Sequence, residues 1–352
     1  MSSAAAPGAG LRPEWDLIKC YGVVLVLAIH VSASGLYAWG QVPRGDWWAA
    51  VTINGSSRTA VPLFLMASGA ALLDTRKTVD IARFLSRRVR RVVVPLLFWS
   101  LLYLAFSAWR IGQPDSLAEA LRRLLAGSSF YHLPFLYWLL GAYLCAPVLA
   151  PFAERAGRGA TGYFLALWFG VCVAAIVASR TGYVIGVQVP VAVGFLGYFV
   201  AGRLLRDVAI EGRAIPACLA VAAAGLLATL LPTFQLTKKA GALVEIFLDP
   251  VAPNVVAMTL ATFLLLTSGP VRRGLARSPR LVAVLGFGAT ISFGIYLIHP
   301  LLLTIMLQGN GLAWNSFGPW IGIPLGVAAL LVLSGGTTWL MQRVPGLRQV
   351  AG

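Results

Sequence analysis

Apolar residues run in long stretches along the chain, and short polar, Gly/Pro-rich or Arg-rich breaks separate them. A helix that crosses a bilayer needs about 20 mostly apolar residues, and a window of that length gives ten spans. Their predicted bounds are 17–38, 60–73, 92–109, 133–152, 163–178, 187–205, 214–232, 250–267, 281–306 and 320–342. The pattern therefore predicts an all-α, polytopic membrane protein with about ten transmembrane helices.

Composition supports this prediction and changes how the charge is interpreted. Hydrophobic residues make up 59% of the chain and charged residues only 11%, whereas about a quarter of a soluble domain is charged. The net charge of +16 resembles that of a nucleic-acid-binding protein, but the basic residues lie in short loops between apolar spans. We therefore expect a lipid bilayer, not a nucleic acid, as the partner of this surface.

The distribution of Lys and Arg predicts the orientation of the spans. With the N-terminus in the cytoplasm, 20 of the 28 Lys and Arg residues fall on the cytoplasmic side. The positive-inside rule favours that orientation over its inverse, and an even number of spans places both termini in the cytoplasm. We expect a flexible cytoplasmic N-terminus over 1–14, one transmembrane domain over 15–343 and a short cytoplasmic C-terminus over 344–352.

Targeting and metal signals do not alter this picture. The first residues lack the basic segment and apolar core of a signal peptide, so we expect the first span to be retained. The four cysteines lie in or beside spans without paired ligand spacing, so neither a disulfide framework nor a metal site is predicted.

Histidine at membrane depth is costly and is treated as a functional candidate. His30 lies in the first span, 11 residues beyond Lys19. Eleven residues turn a helix by about three turns plus 20°, so both side chains share one face, roughly 16 Å apart. Asp16 lies on the same stripe and is placed to pair with Lys19. The alternative is that each histidine only packs against a neighbouring helix.

Two other histidines are assigned to the same, outer half of the bilayer by the predicted topology. His132 lies at the outer mouth of the fourth span, and His299 lies deep in the ninth. Ser292, Tyr296 and His299 follow at i, i+4 and i+7, which is one helical face.

Five arginines precede the third span, within residues 83–91. Arginines that flank a span are commonly topology anchors. Arg88 and Arg91, at i and i+3, also present two guanidinium groups that suit a phosphate.

Several separate segments together resemble acyltransferase family 3, integral-membrane enzymes that acylate carbohydrates, in the branch of stand-alone surface-polysaccharide O-acetyltransferases. The segments are WDLIKCYGVVLVLAIH at 15–30, RTAVPLFLMASGAALL at 58–73, RRVRRVVVP at 87–95, YHLPFLYWLLGAYL at 131–144 and SFGIYLIHP at 292–300. The first is similar to the family's Arg or Lys, ten residues, then His. Two departures are Lys19 in place of the commoner Arg and Pro134 in place of Trp.

The resemblance implies an acyl-CoA donor, usually acetyl-CoA, a sugar hydroxyl as acceptor and a location in the bacterial cytoplasmic (inner) membrane. It implies that His30 acts as general base or as a transient acyl carrier, and both roles stay open. Lys19 and Asp16 are expected to organise the entrance, and Arg88 and Arg91 to bind CoA phosphates. The predicted substrate cavity contains Arg58, Ser68, His132, Tyr137, Ser292, Tyr296 and His299.

Two other functions are compatible with these features. A flippase or exporter of a lipid-linked or polymeric sugar would also use buried histidines, although such carriers are often built from two related halves, and no such repeat is visible. A purely structural membrane subunit would leave the alignment of Lys19 and His30 unexplained. The sequence does not identify the acceptor or the acyl chain.

Overall fold

The computed structural model describes residues 12–112, 115–181, 192–309, 314–315 and 317–352, and these residues form helices without any strand. The predicted all-α class is confirmed. The α-helices are α1 Pro13–Tyr37, α2 Arg44–Ser57, α3 Ala60–Leu72, α4 Thr75–Thr78, α5 Ile81–Arg88, α6 Val94–Ile111, α7 Leu117–Leu125, α8 Pro134–Arg155, α9 Arg158–Thr181, α10 Ala192–Leu205, α11 Ala214–Ala240, α12 Pro253–Leu266, α13 Gly269–Ala276, α14 Pro279–Gly309 and α15 Pro319–Met341.

Eight helical stretches of the described residues are long and apolar enough to cross a membrane. They contain α1, α5 with α6, α8, α9, α11, α12, α14 and α15, and they match eight of the ten predicted spans. The other two predicted spans fall on α3 and α10, which have 13 and 14 residues. Residues 187–191 of the predicted sixth span lie outside the described residues. The count of ten therefore stays a prediction, as does the cytoplasmic position of the termini.

Helix α1 lies at the centre of the bundle, where it packs against α2, α3, α14 and α15. Helix α2 lies between the first two predicted spans, where the sequence predicts no span. Hydrocarbon offers no hydrogen-bonding partner for the backbone, so these apolar segments satisfy their own N–H and C=O groups as helices. The contact between α1 and α14 brings the helix of Lys19 and His30 beside the helix that carries SFGIYLIHP.

The short helix α3 is held tightly against α10 by two glycines. A Cβ on Gly69 would lie 1.7 Å from the carbonyl oxygen of Phe199, and a Cβ on Gly202 would lie 2.0 Å from that of Met66. Small residues of this kind allow membrane helices to approach at backbone distance. The α3–α10 pair thus fixes one wall of the cavity described below.

A π-helical turn, Val89–Val93, joins α5 to α6 within the arginine run. Asp80 caps the start of α5 by accepting a hydrogen bond from the Arg83 N–H. Pro95 has no N–H to offer to the preceding turn, which is consistent with irregular hydrogen bonding just before it. Turns of this type often lie at functional sites, and this one sets the spacing of Arg88 and Arg91.

The C-terminal residues pack against the helices. The Trp99 indole donates to the carbonyl oxygen of Val350 at 2.8 Å, and the Gln342 amide donates to that of Gly352 at 3.1 Å. Val350 and Ala351 are buried. Of residues 344–352, the last three therefore pack against the helices, whereas 344–349 are exposed. The flexible segment expected at 1–14 lies largely outside the described residues, and α1 already begins at Pro13.

Replacing Gly69 with Val is expected to destabilise the protein, because the new side chain would collide with the α10 backbone. Overpacking of this kind costs about 1–3 kcal/mol or more. The apparent melting temperature in detergent measures the effect. Gly170→Val is the matched control, because nothing lies within 4 Å of a Cβ on that helical glycine. Equal melting temperatures for the two variants would contradict the tight α3–α10 contact.

Candidate active site

A cavity of about 650 Å³ enters the bundle between α1, α3, α5, α8 and α14. This volume lies within the range of small-molecule binding pockets, about 300–1,000 Å³. Its mouth is a basic rim, which we define as Arg12, Lys19, Lys77, Arg87, Arg88 and Arg91. Asp16 is the carboxylate among the described lining residues.

The basic rim is only partly neutralised. Lys19 is paired with Asp16 at 3.0 Å, as predicted, and Arg12 with Asp207 at 2.9 Å. The other four members of the basic rim form no ion pair with any carboxylate in the part of the chain that the structure describes. The mouth of the cavity therefore carries an excess of positive charge that favours an anionic ligand.

Arg88 is the most unusual member of the basic rim. Its guanidinium carbon lies 5.5 Å from the centre of the Phe84 ring and 5.8 Å from that of Tyr143. Its Nε is buried and has no hydrogen-bond partner among the described residues. Buried donors are normally satisfied, so this nitrogen is an exception within the basic rim.

The inner end of the cavity is aromatic. Phe64, Phe135, Phe293 and Tyr296 line it, together with the hydroxyl-bearing Ser68 and Ser292. The Tyr296 hydroxyl donates to the backbone carbonyl of His132. We call these four aromatic side chains the aromatic wall. Its member Tyr296 also contacts the histidines described next.

His30, His132 and His299 form one group, which we call the histidine cluster. The ring centres of His30 and His299 are 5.0 Å apart, and those of His132 and His299 are 5.5 Å apart. The Tyr296 ring centre lies 5.3 Å from that of His132 and 6.1 Å from that of His299. Residues distant in sequence thus meet where α1, α14 and the segment before α8 converge.

Members of the histidine cluster differ in their exposure and hydrogen bonding. His299 is 0% exposed, and its Nδ1 lies 2.8 Å from the Tyr296 carbonyl oxygen and 3.2 Å from that of Ile295. Its Nε2 and both ring nitrogens of His132 are buried without a partner among the described residues. His30 is only partly buried.

Arg58 is fastened to α1 beside His30. Its Nε donates to the Asn54 side-chain oxygen at 2.8 Å, and the Asn54 amide donates to the Ile29 carbonyl at 2.9 Å and to the Ser32 hydroxyl at 3.0 Å. Arg58 is close enough to interact electrostatically with His30. Asn54 was missed in the sequence, although an Asn and an Arg at i and i+4 in an apolar stretch are a detectable signal.

Tyr131 was also missed. Its ring centre lies 4.9 Å from that of His30, and 54% of its surface is exposed. Arg58 and His30 also keep partial exposure. None of the three is among the described residues that line the cavity.

The structure therefore divides the predicted site residues into two groups. Asp16, Lys19, Ser68, Arg88, Arg91, Ser292 and Tyr296 line the cavity, whereas Arg58 lies beside the histidine cluster. The Tyr137 hydroxyl points elsewhere and donates to the carbonyl oxygen of Leu124. His30, His132 and His299 are not among the described residues that line the cavity, although Tyr296, which does line it, contacts His132 and His299.

Pro134 does not disturb the geometry at His132. It occupies the first turn of α8, where the missing proline N–H costs no helical hydrogen bond. Three or more His, Cys, Asp and Glu side chains do not come together as a metal site anywhere in the described residues.

Comparison with models of protein families gives one match. The family described as "Acyltransferase domain" matches residues 12–339, which include both groups of site residues. No curated protein and no solved structure matches the chain.

Replacing Tyr296 with Phe is expected to lower stability, because it leaves the buried carbonyl of His132 without its donor. An unsatisfied buried polar group costs about 1–3 kcal/mol. Thermal unfolding in detergent measures the loss, with Tyr163→Phe as the control, since Tyr163 is 71% exposed. If the two variants have the same melting temperature, the Tyr296 hydroxyl does not stabilise this part of the cavity.

Proposed function

As this chain belongs to acyltransferase family 3, we propose that it transfers an acetyl group from acetyl-CoA to a hydroxyl of a cell-surface or lipid-linked carbohydrate. Membership in the family makes it a membrane acyltransferase in general terms. The observation that carries the specific proposal is the only partly neutralised basic rim, from which a cavity leads to aromatic side chains in contact with the histidine cluster.

The donor fits the mouth of the cavity by its charge. CoA carries a diphosphate and a phosphomonoester, and the latter contributes about −1.5 to −2 near neutral pH. Arg88 and Arg91 offer planar guanidinium groups for these phosphates, and Lys77 and Arg87 add further unpaired charge. CoA is made in the cytoplasm, which agrees with the orientation that the distribution of Lys and Arg predicts.

The reactive end of the donor extends into the cavity. The pantetheine arm is long and mostly uncharged, and it suits a passage lined by Phe64, Ala67, Leu139 and Phe293. It must reach about half of a hydrocarbon core roughly 30 Å thick. The thioester would then lie next to Tyr296, one side chain away from the histidine cluster.

His30 is the proposed base. It takes the proton of the acceptor hydroxyl as that oxygen attacks the thioester carbonyl carbon, so that a C–O bond forms and the C–S bond breaks. The imidazolium then returns the proton to the departing thiolate, and the products are the ester and CoA. Imidazole is suited to both proton transfers near neutral pH. Its alternative role as a transient acyl carrier gives the same products in two steps.

The acceptor is proposed to approach from the side of Arg58 and Tyr131. Both are partly exposed beside His30, and both lie apart from the cavity that takes the donor. Donor and acceptor would therefore reach His30 from two separate spaces, with the acceptor on the outer face of the membrane. Opening of the aromatic wall would bring thioester and hydroxyl together.

His30→Ala is expected to lower kcat by at least about 10²-fold, the contribution of a general base. Release of CoA from acetyl-CoA in detergent, with and without an added glycan acceptor, measures the loss. Binding of acetyl-CoA should be unchanged, since His30 does not line the cavity. Full activity of this variant would exclude His30 as base or carrier, and a wild-type protein that ignores acetyl-CoA would favour a sugar carrier.

Changing Arg88 and Arg91 together to Lys is expected to weaken acetyl-CoA binding about tenfold, which corresponds to about 1.4 kcal/mol. Lysine keeps the charge and the orientation signal but loses the planar fork. Isothermal titration of acetyl-CoA into the purified protein gives the two affinities.

The matched control is Arg83→Lys combined with Arg90→Lys. These arginines belong to the same run but do not line the cavity, so the control should bind acetyl-CoA like the unchanged protein. Equal affinities for all three proteins would mean that Arg88 and Arg91 act only as topology anchors.

A further inference from the structure

Proline follows His299 in the middle of α14 and leaves one backbone carbonyl free. In an α-helix the carbonyl of Tyr296 would accept from the N–H of residue 300, but Pro300 has none. The His299 Nδ1 lies 2.8 Å from this oxygen. The side chain of His299 thus supplies the donor that the proline removes.

This contact determines which nitrogen of His299 carries the hydrogen. A carbonyl oxygen only accepts hydrogen bonds, so Nδ1 must donate, and in a neutral imidazole the other nitrogen is then an acceptor. The carbonyl oxygen of Ile295 lies 3.2 Å from Nδ1 and also requires Nδ1 to donate. The sequence His299-Pro300 therefore fixes the Nδ1–H tautomer and leaves a lone pair on Nε2.

The lone pair on Nε2 has no partner, although His299 is completely buried. A buried acceptor without a donor is unfavourable, and a donor lies nearby on a different helix. The ring centres of His299 and His30 are 5.0 Å apart with an interplanar angle of 31°. A small rotation of His30 would let one of its N–H groups donate to His299 Nε2.

We propose that His299 is a positioning residue for the acyl transfer, and that its Nε2 accepts a hydrogen bond from one ring nitrogen of His30. The other nitrogen of His30 then presents its lone pair to the acceptor hydroxyl. This inference rests on the proposed function of His30. His299 does not itself meet the substrate, because it is 0% exposed whereas His30 keeps accessible surface.

A neutral acceptor suits this position in a membrane. In many hydrolases a carboxylate orients the catalytic histidine by the same kind of hydrogen bond. A carboxylate buried among apolar helices would carry a large desolvation cost. An imidazole fixed in one tautomer supplies the same directional acceptor without a buried charge.

Kinetics of three variants test the proposal. His299→Leu removes the acceptor and should lower kcat about 10- to 100-fold, as is typical when the partner that orients a ligand or base is lost. The KM for acetyl-CoA should stay within about twofold, because a positioning role acts on the chemical step. His299→Gln places an oxygen near the position of Nε2 and should recover most of the lost kcat. Equal kcat for His299→Leu and the unchanged protein would overturn the proposal, and so would a Gln variant as impaired as the Leu variant.

Nitrogen NMR provides a test that does not depend on activity. The chain contains three histidines, so selective ¹⁵N labelling gives three ring systems that single His variants assign. His299 should show a protonated Nδ1 and an unprotonated Nε2, and His30→Ala should shift its Nε2 resonance. A protonated Nε2, or a shift caused by His132→Ala and not by His30→Ala, would overturn the contact with His30.

Pro300→Ala tests the origin of the tautomer. The restored N–H competes with His299 Nδ1 for the Tyr296 carbonyl, so the ring should sample both tautomers. Pro324→Ala is the matched control, since Pro324 also lies inside a helix but is exposed on α15.

Failure of His30→Ala to reduce activity would refute the proposed function, whereas the outcomes above refute only the role of His299. The two failures are therefore distinguishable.

Discussion

The requirement that every polar group in hydrocarbon finds a partner governs this structure. It forces the apolar stretches into helices that satisfy their own backbones, and it makes each exception informative. The exceptions among the described residues include Arg88 Nε at the mouth of the cavity and, in the histidine cluster, both nitrogens of His132 and Nε2 of His299. These open groups belong to the residues on which the proposed function rests.

Packing brings these open groups together without long loops. Helix α1 carries Lys19 near one end and His30 further along, and its neighbours α3 and α14 supply further residues that line the cavity. The close approach of α3 to α10 at Gly69 and Gly202 keeps α3 in register, although it is too short to span a membrane alone. Asn54 then ties Arg58 to α1, so that its guanidinium group is fixed beside His30.

Sequence reasoning predicted most of the architecture because hydrophobicity is a strong signal in membrane helices. It also predicted the Lys19–Asp16 pair, which depends only on helical spacing, and the candidates His30, His132 and His299 that the fold brings together. It could not predict the aromatic wall, because the packing of Phe64, Phe135 and Tyr296 depends on three different helices. Helix α2 was missed because its polar residues weaken the apolar signal. The role of Asn54, which lies on α2, was missed for the same reason. The position of Tyr137 depends on the turn of chain before α8, which periodicity does not describe.

The aromatic wall between the cavity and the histidine cluster has a consequence for the cell that holds this protein. A bilayer stores energy as gradients of protons and other ions, and an open water-filled passage through a bundle would dissipate them. Tyr296 lines the cavity and also contacts the histidine cluster, so under the proposed function its side chain stands between the donor and His30. An acyl group carried on a thioester is uncharged, and it would need to cross only this wall. A protein with the proposed function would thus exchange a chemical group across the wall while the membrane stays electrically sealed.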